Sequence, residues 1–233
     1  MYAIHRHKII LLIVITITCS YQLYAQANME QYDNKRLHFG FTLGTNIGRM
    51  RIDRNTARTP IDTVKNINQI TYPGIGLGAI TNLHLNQNWD LRLLFPVISF
   101  VQRNIEYEFD NSKKIAEIES AYCDASLLVK FKSDRRKNTR VYVIGGFRGS
   151  YDLASTTKQD RSIAKPVVSL KPLSFGYEAG IGLDMYFEYF KFSPEIKFCS
   201  TYGNTLFKDG YVYTEAIYRL TPQLIQISLH FEG

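Results

Sequence analysis

Eight charged residues sit at alternate positions in segments that otherwise hold small, aromatic and aliphatic residues: Arg92, Asp124, Lys130, Arg148, Glu178, Asp184, Glu195 and Lys197. Successive side chains of a β-strand point to opposite faces, so charges at alternate positions share one face of their strand. A buried charge is tolerated only when an opposite charge pairs with it. We therefore predict that these residues form ion pairs inside the protein.

Acid–base catalysis by the same polar residues is disfavoured by their spacing. Glu178 and Asp184 are six residues apart, which is about 20 Å along a strand and too far for a catalytic pair of carboxylates. Ser228 and His230 suggest part of a serine hydrolase site, but no neighbouring acid or exposed nucleophile turn accompanies them. We predict a non-enzymatic protein with no cofactor and no small-molecule substrate.

Three histidines, His38, His84 and His230, are predicted to point inward at the same end of three neighbouring strands. One hypothesis is that they form a metal-binding or pH-sensitive cluster at the mouth of the interior. The other interpretation, which we favour, is that they are simply part of a polar lining. We therefore predict no resident metal.

The elements that carry these residues are amphipathic β-strands. From Leu173 to Phe187 every second residue is apolar, and the residues between are mainly glycines and acids. A soluble lipocalin-like barrel has an apolar interior, which would not accept the charged face. A membrane barrel is apolar toward lipid and polar inside. The pattern thus favours an outer-membrane barrel.

The chain divides into about eight such strands, which predicts one antiparallel transmembrane barrel. Long and short connections alternate, as in outer-membrane barrels whose short turns face the periplasm. The long loops are predicted at Arg49–Pro73, Asp110–Glu119, Ala154–Lys171 and Tyr202–Pro222.

Two details of the strands can also be predicted. The strand that starts at Trp89 is expected to point Trp89, Leu91, Leu93, Phe95 and Val97 toward lipid. Pro194 interrupts another strand, and because proline has no backbone N–H to donate, we expect a bulge or an edge position there, with Pro194 facing lipid.

The N-terminus has the pattern of an export signal. Arg6 and Lys8 precede the apolar run Ile9–Ile17, and Ala25–Ala27 offers small residues for cleavage. We therefore predict a signal peptide at residues 1–27, a polar leader at 28–35 and the barrel domain at 36–233.

Charge and cysteine usage limit the other classes of function. The net charge is +7, but no basic stripe is interleaved with aromatic residues, so no nucleic-acid partner is predicted. Cys123 and Cys199 fall on opposite faces of strands that are distant in sequence, which predicts two buried free thiols and not a disulfide.

Several segments resemble the PorT family of Bacteroidetes, and together they cover nearly all of the chain after the export signal. The most specific are Tyr189–Phe198 (YFKFSPEIKF) and Leu127–Ser133 (LLVKFKS); others are Ser99–Tyr107 (SFVQRNIEY), Tyr142–Gly146 (YVIGG) and Tyr177–Asp184 (YEAGIGLD). Cys123, Ala125 and the stretch Arg49–Tyr72 depart from what we expect of that family.

The resemblance implies a small barrel similar to OmpA and OmpX that is needed for type IX secretion. This route exports proteases, adhesins and gliding-motility proteins. In that family the barrel is an accessory of the apparatus and not its conducting pore. The expected partners are outer-membrane lipid and other, unidentified components of the secretion system. The alternative is a generic small barrel, porin-like or adhesin-type, without a role in secretion.

Overall fold

The computed structural model describes residues 28–54, 64–109, 113–154, 170–207 and 217–233. A short 3-10 helix at Tyr32–Asn34 precedes nine strands: β1 (Leu37–Arg54), β2 (Val64–Thr71), β3 (Pro73–Asn86), β4 (Trp89–Phe109), β5 (Lys113–Lys132), β6 (Thr139–Asp152), β7 (Leu173–Tyr186), β8 (Lys191–Thr201) and β9 (Ile217–Glu232). No helix in these ranges is long and apolar enough to cross a membrane.

The strands close into an antiparallel barrel. Around the wall the order is β4-β3-β1-β9-β8-β7-β6-β5, and β5 returns to pair with β4. β2 pairs with the far half of β4, and only Tyr72 separates β2 from β3, so these two form one wall strand broken at that point. The predicted all-β barrel of about eight wall strands is confirmed.

The two ends of the barrel differ. Both ends of the described chain and the three short turns, residues 87–88, 133–138 and 187–190, lie at one end, which we call the turn end. The other four connections between wall strands, residues 55–63, 110–112, 153–172 and 202–216, start and finish at the other end, the loop end, and all but 110–112 are longer than the three turns. Residues 1–27, where the signal peptide is predicted, fall outside the described ranges.

The wall has the predicted sidedness. Outward apolar side chains such as Phe39, Ile75 and Phe147 are 61%, 64% and 67% exposed, whereas inward polar residues such as Thr42 and Asp184 are buried. This arrangement suits a barrel with lipid outside and polar groups within.

A β-bulge in β4 turns one residue to the opposite face from the one that the sequence predicts. Phe95 and Pro96 both point outward, and the register with β5 shifts between Leu94 and Val97. The extra residue reverses the alternation beyond it. Val97 is therefore buried, at 5% exposed, and its predicted position toward lipid was wrong.

Three predicted loops are much shorter than expected, because strands occupy parts of them. β1 and β2 both extend into Arg49–Pro73, β5 begins inside Asp110–Glu119, and β9 begins inside Tyr202–Pro222. The fourth predicted loop, Ala154–Lys171, lies mostly outside the described ranges.

The reason for this error is that the loop ends of the strands carry polar residues on the outside. Arg49 and Arg51 of β1 are exposed there, while Met50 between them is 3% exposed and points inward. Beyond the bilayer a barrel wall meets water, so the outer face becomes polar and the inner face apolar. A stretch with polar residues on the outer face has the composition of a loop, so the sequence predicts a loop there.

Pro194 produces no bulge. Gly182 pairs with Glu195 and Met185 with Phe192 in one unbroken register, although Leu183 and Asp184 between them have no assigned partner on β8. On its other side Pro194 pairs with Leu229 of β9. Because proline lacks only the backbone N–H, the neighbouring strand loses one backbone hydrogen bond, and the register does not change.

Cys123 and Cys199, the two cysteines in the described ranges, are both free. Cys199 is buried and faces inward, as predicted. Cys123 is only half-buried on the outer face of β5, so the prediction that both thiols are buried was wrong for Cys123.

Candidate functional site

The interior of the barrel is filled by charged side chains, a region that we call the ionic lumen. The name covers ten of the buried charged residues in the middle of the barrel: five bases, Arg92, Lys130, Arg148, Lys191 and Lys197, and five acids, Asp124, Glu178, Asp184, Glu195 and Glu232. Asp90, Arg103, Lys132, Arg140 and Asp152 are also buried, toward the two ends. All eight residues predicted to form ion pairs are among the ten. Equal numbers of bases and acids leave this part of the interior close to neutral.

Glu232 is the centre of the ionic lumen near the turn end. Its carboxylate accepts hydrogen bonds from Lys191 Nζ at 3.0 Å, Arg92 Nη2 at 3.4 Å and the hydroxyl of Tyr32 at 3.2 Å. Asn82 Nδ2 also donates to it. A carboxylate that is fully buried in the wall is therefore compensated by two cations and two neutral donors.

Arg92 connects Glu232 to the middle of the lumen. Its Nη1 lies 2.7 Å from Glu195 Oε2, and its Nε donates to Asn82 Oδ1 at 2.9 Å. The hydroxyl of Tyr142 donates to the same oxygen of Glu195 at 2.7 Å. Arg92 and Glu195 are both completely buried.

Lys130 and Asp184 form a second pair beside this centre. Lys130 Nζ contacts both carboxylate oxygens of Asp184, at 2.8 and 2.7 Å, and Ser193 Oγ donates to Asp184 at 2.6 Å. The ammonium also lies 3.7 Å from the centroid of the Tyr142 ring. A cation over an aromatic face gains additional stabilisation.

Tyr142 fits because β7 has a glycine beside it. A Cβ at Gly182 would lie 2.3 Å from the Tyr142 ring, so any other residue would displace the ring from its hydrogen bond to Glu195. Gly182, the second glycine of the YEAGIGLD segment, thus makes room for the inward side chain of Tyr142.

A third group of pairs continues toward the loop end. Lys197 Nζ lies 2.9 Å from Glu178 and 3.8 Å from Glu195, which joins this group to the centre. Arg148 then bridges Asp124 at 2.6 Å and Glu178 at 3.6 Å. The ionic lumen is thus one connected network across the barrel interior.

The loop end of the lumen is closed by an apolar cluster. Beyond Arg103, which donates to the hydroxyl of Tyr122 at 2.7 Å, the inward residues become aliphatic and aromatic. The cluster comprises Met50, Ile105, Tyr107, Ala116, Ile118, Leu170, Leu206, Ile217 and Leu220. Two of its members, Leu170 and Leu206, pair with each other outside the wall strands.

Residues 28–35, which we call the N-terminal segment, lie at the turn end. Tyr32 is 6% exposed, and its ring stacks on His38 with 3.7 Å between centroids. Asp33 forms an ion pair with Arg140 at 3.0 Å. Arg135 donates to the carbonyl oxygens of Asn28 and Met29. The predicted polar leader is thus held against the barrel by specific contacts.

The segment has two acids outside the wall, the exposed Glu30 and Asp33, and Asp33 is the one in the ion pair with Arg140. Partial burial raises its pKa, but the neighbouring Arg140 guanidinium more than offsets that effect and holds the pKa below its usual value. The ion pair therefore favours the attached position of the segment at neutral pH.

The three histidines are not brought together as a metal site. His38 stacks on Tyr32, Nδ1 of His84 lies 2.8 Å from Asp90, and Nε2 of His230 lies 3.3 Å from Glu195. Among the described residues no group of three His, Cys, Asp or Glu side chains could hold a metal ion.

Glu178 and Asp184 also belong to separate ion pairs, with Lys197 and Lys130. The alternation also places Lys191 on an inward face, but it does not select Glu232. It predicts a last strand from Gln223 to Phe231, which ends one residue before Glu232. The alternation of Ser228 and His230, continued by one step, would have indicated that Glu232 also points inward.

A family model described as an outer membrane protein β-barrel domain matches residues 24–203. No protein with a curated function matches the chain in sequence.

Several solved structures have a similar arrangement of strands. They include OprG from Pseudomonas aeruginosa (11% identity, TM-score 0.46, covering 84% of this chain and 91% of that chain) and AlkL in lipid bilayers (10%, 0.45, 83% and 90%). A third is Ail, the attachment invasion locus protein of Yersinia pestis, solved with a heparin analogue (11%, 0.40, 85% and 100%).

Proposed function

Because this chain belongs to the outer membrane protein β-barrel domain family, and is thus a small barrel of the outer membrane, we propose that it is a non-enzymatic accessory of type IX protein secretion. The observation that carries the proposal is the filled interior. A barrel of this kind acts through its surfaces and does not conduct its cargo.

Three parts of the structure support a sealed barrel. The ionic lumen occupies the middle, the apolar cluster lies at the loop end, and Tyr32 of the N-terminal segment enters at the turn end. Eight strands are the size at which side chains alone can fill a barrel. Opening a path would require several buried ion pairs to separate, which is costly when each partner is left unpaired.

Support for the secretion system itself comes from the sequence resemblance to the PorT family. The segment YFKFSPEIKF covers residues 191–198 of β8 and two residues of the turn before it, and LLVKFKS covers the last six residues of β5 and Ser133. Both contribute to the ionic lumen through Lys191, Glu195, Lys197 and Lys130. The most specific part of the resemblance thus coincides with the residues that fill the barrel.

We further propose that the turn end faces the periplasm. Outer-membrane barrels place short turns there and long loops outside. In this orientation the N-terminal segment and the three turns are available to periplasmic components of the secretion apparatus, and outer-membrane lipid surrounds the wall. Those components are the partners we propose.

The extended wall at the loop end favours one alternative, an adhesin-type barrel. β4 and β5 pair from Trp89 and Phe131 to Glu108 and Lys113, well beyond the bulge, and with β2 on the other side of β4 they carry a three-stranded ribbon toward the loop end. A rigid ribbon of this kind can present a binding surface to the outside of the cell.

Deletion of the gene separates these functions. The secretion proposal predicts that cargo with a type IX signal accumulates inside the deletion strain, and that the wild-type gene restores export. Normal export together with lost attachment of cells to surfaces would contradict it and favour the adhesin-type barrel. Export is measured as cargo protease activity in the culture medium.

A further inference from the structure

A groove of about 770 Å³ crosses the lipid-facing wall over β6, β7 and β8. Its walls are aliphatic: Val141, Val143, Ile181, Leu183, Pro194 and Ile196. We call it the aliphatic groove. Phe131 lines one edge of it, and the exposed pair Phe147 and Tyr177 lies four residues further along β6 and β7 toward the loop end. The groove is thus a depression in the wall that hydrocarbon can fill.

The floor of the groove lies where the pairing of β7 with β8 is interrupted. Leu183 and Asp184 have no assigned partners on β8, beside Pro194, which has no N–H to donate. Tyr142 and Glu195, whose polar groups bond to each other inside the lumen, form part of the floor. The groove therefore has a fixed shape, because the residues beneath it are held by the ionic lumen.

A basic hairpin stands at the turn end of the groove. The connection between β5 and β6 borders it through Ser133, and carries Arg136 and Lys137 at its tip. Both tip residues are exposed and form no ion pair with the described residues. Arg135 is already engaged, since it bonds to the N-terminal segment and lies 3.9 Å from the centroid of the Tyr186 ring.

The charge near the groove is positive on balance. Within the hairpin, Asp134 is the one acid against Arg135, Arg136 and Lys137. The other exposed acids near this end are Glu188, in the turn between β7 and β8, and Glu30, in the N-terminal segment, and Lys35 and Arg36 where that segment meets β1 are exposed as well. Basic residues at a membrane surface attract anionic lipid headgroups.

We propose that the aliphatic groove and the hairpin tip together bind one anionic phospholipid of the leaflet on the turn side. An acyl chain lies in the groove, and Arg136 and Lys137 contact the phosphate. The site goes beyond the proposed role in secretion and does not depend on it. The barrel thus binds one specific lipid at this site, besides the bulk lipid that surrounds its wall.

The test uses the purified, delipidated full-length mature protein in detergent, with bound lipid counted by native mass spectrometry. We expect one phosphatidylglycerol to bind, and to bind more tightly than phosphatidylcholine. R136Q/K137Q should weaken binding of phosphatidylglycerol roughly tenfold and leave phosphatidylcholine unchanged. V143F, which fills the groove, should weaken binding of both lipids.

R49Q/R51Q is the matched control, because it removes the same number of exposed charges from the loop end of β1. It should bind phosphatidylglycerol like the wild type. Equal loss in the control and in R136Q/K137Q, or unchanged binding in R136Q/K137Q, would overturn the proposal. The charge variants lie in an exposed turn outside the wall, so they decide the question whether or not V143F folds.

Discussion

Each acid of the ionic lumen lies beside at least one base, and this pairing determines what a substitution costs. Lys130 and Asp184 are both almost completely inaccessible to solvent. Replacing such a pair by apolar residues of similar volume is often nearly neutral, whereas removing one partner leaves an uncompensated buried charge. The same side chains therefore stabilise the barrel only as pairs.

This predicts a large difference between single and double variants. D184N should lower the free energy of unfolding by about 3–5 kcal/mol, because Lys130 is left without its partner. K130M/D184N should recover a substantial part of that loss, since methionine fills the space without a charge. The measurement is equilibrium unfolding in urea with the protein in phospholipid vesicles.

The control for this prediction is an exposed pair. Arg51 and Asp53 lie 3.7 Å apart with side chains 70% and 41% exposed, so D53N should change the free energy of unfolding by less than about 1 kcal/mol. A double variant no more stable than D184N would show that the pair does not act as a unit.

At the scale of the elements, the N-terminal segment is the part whose attachment depends on charge outside the bilayer. Asp33 has a pKa below its unfolded value because of Arg140. A depressed pKa stabilises the attached state at pH values above the unfolded pKa of about 3.9. That contribution disappears as the pH falls through the folded value.

We therefore expect protection of residues 28–35 from hydrogen exchange to fall between pH 5 and pH 3, after correction for the intrinsic exchange rate. D33N should show weaker protection at pH 7, by about 1 kcal/mol or less, and little further change on acidification. If wild type and D33N respond to pH alike, the Asp33–Arg140 pair does not hold the segment.

The elements also show how far the sequence could predict the fold. Alternation is local, so the inward face of β7 and β8 could be predicted from single segments. The inward position of Val97 could not, because the bulge at Phe95 and Pro96 depends on pairing with β5. The loop ends of β1 and β9 were missed since their alternation reverses where the wall leaves the bilayer.

At the candidate site, the sequence could predict which charged residues point inward, but not which of them contact each other. The alternation placed Arg92 and Glu195 on inward faces. Their contact joins residues 103 positions apart on β4 and β8, which are not neighbouring strands in the barrel. Which charged side chains meet across the lumen depends on how the whole wall closes. That closure involves all the strands, so no single segment of the sequence predicts it.

At the scale of the whole molecule, the barrel has apolar side chains on two surfaces, the outside of the wall and the inside of the loop end. The wall is apolar toward lipid, as with Phe39 and Ile75, and the loop end is apolar toward the inside, as with Ile105 and Leu220. Between them lies the ionic lumen. This arrangement places the contacts available to partners on the turns, the loop end and the lipid-facing wall.

Single-channel recording in planar bilayers is the most direct test of the sealed barrel. Purified wild-type protein, shown to be inserted by its resistance to added protease, should give no unitary current steps in concentrated potassium chloride. Stable steps of uniform conductance from the wild type would contradict the account, because they would require a continuous water-filled path through the ionic lumen.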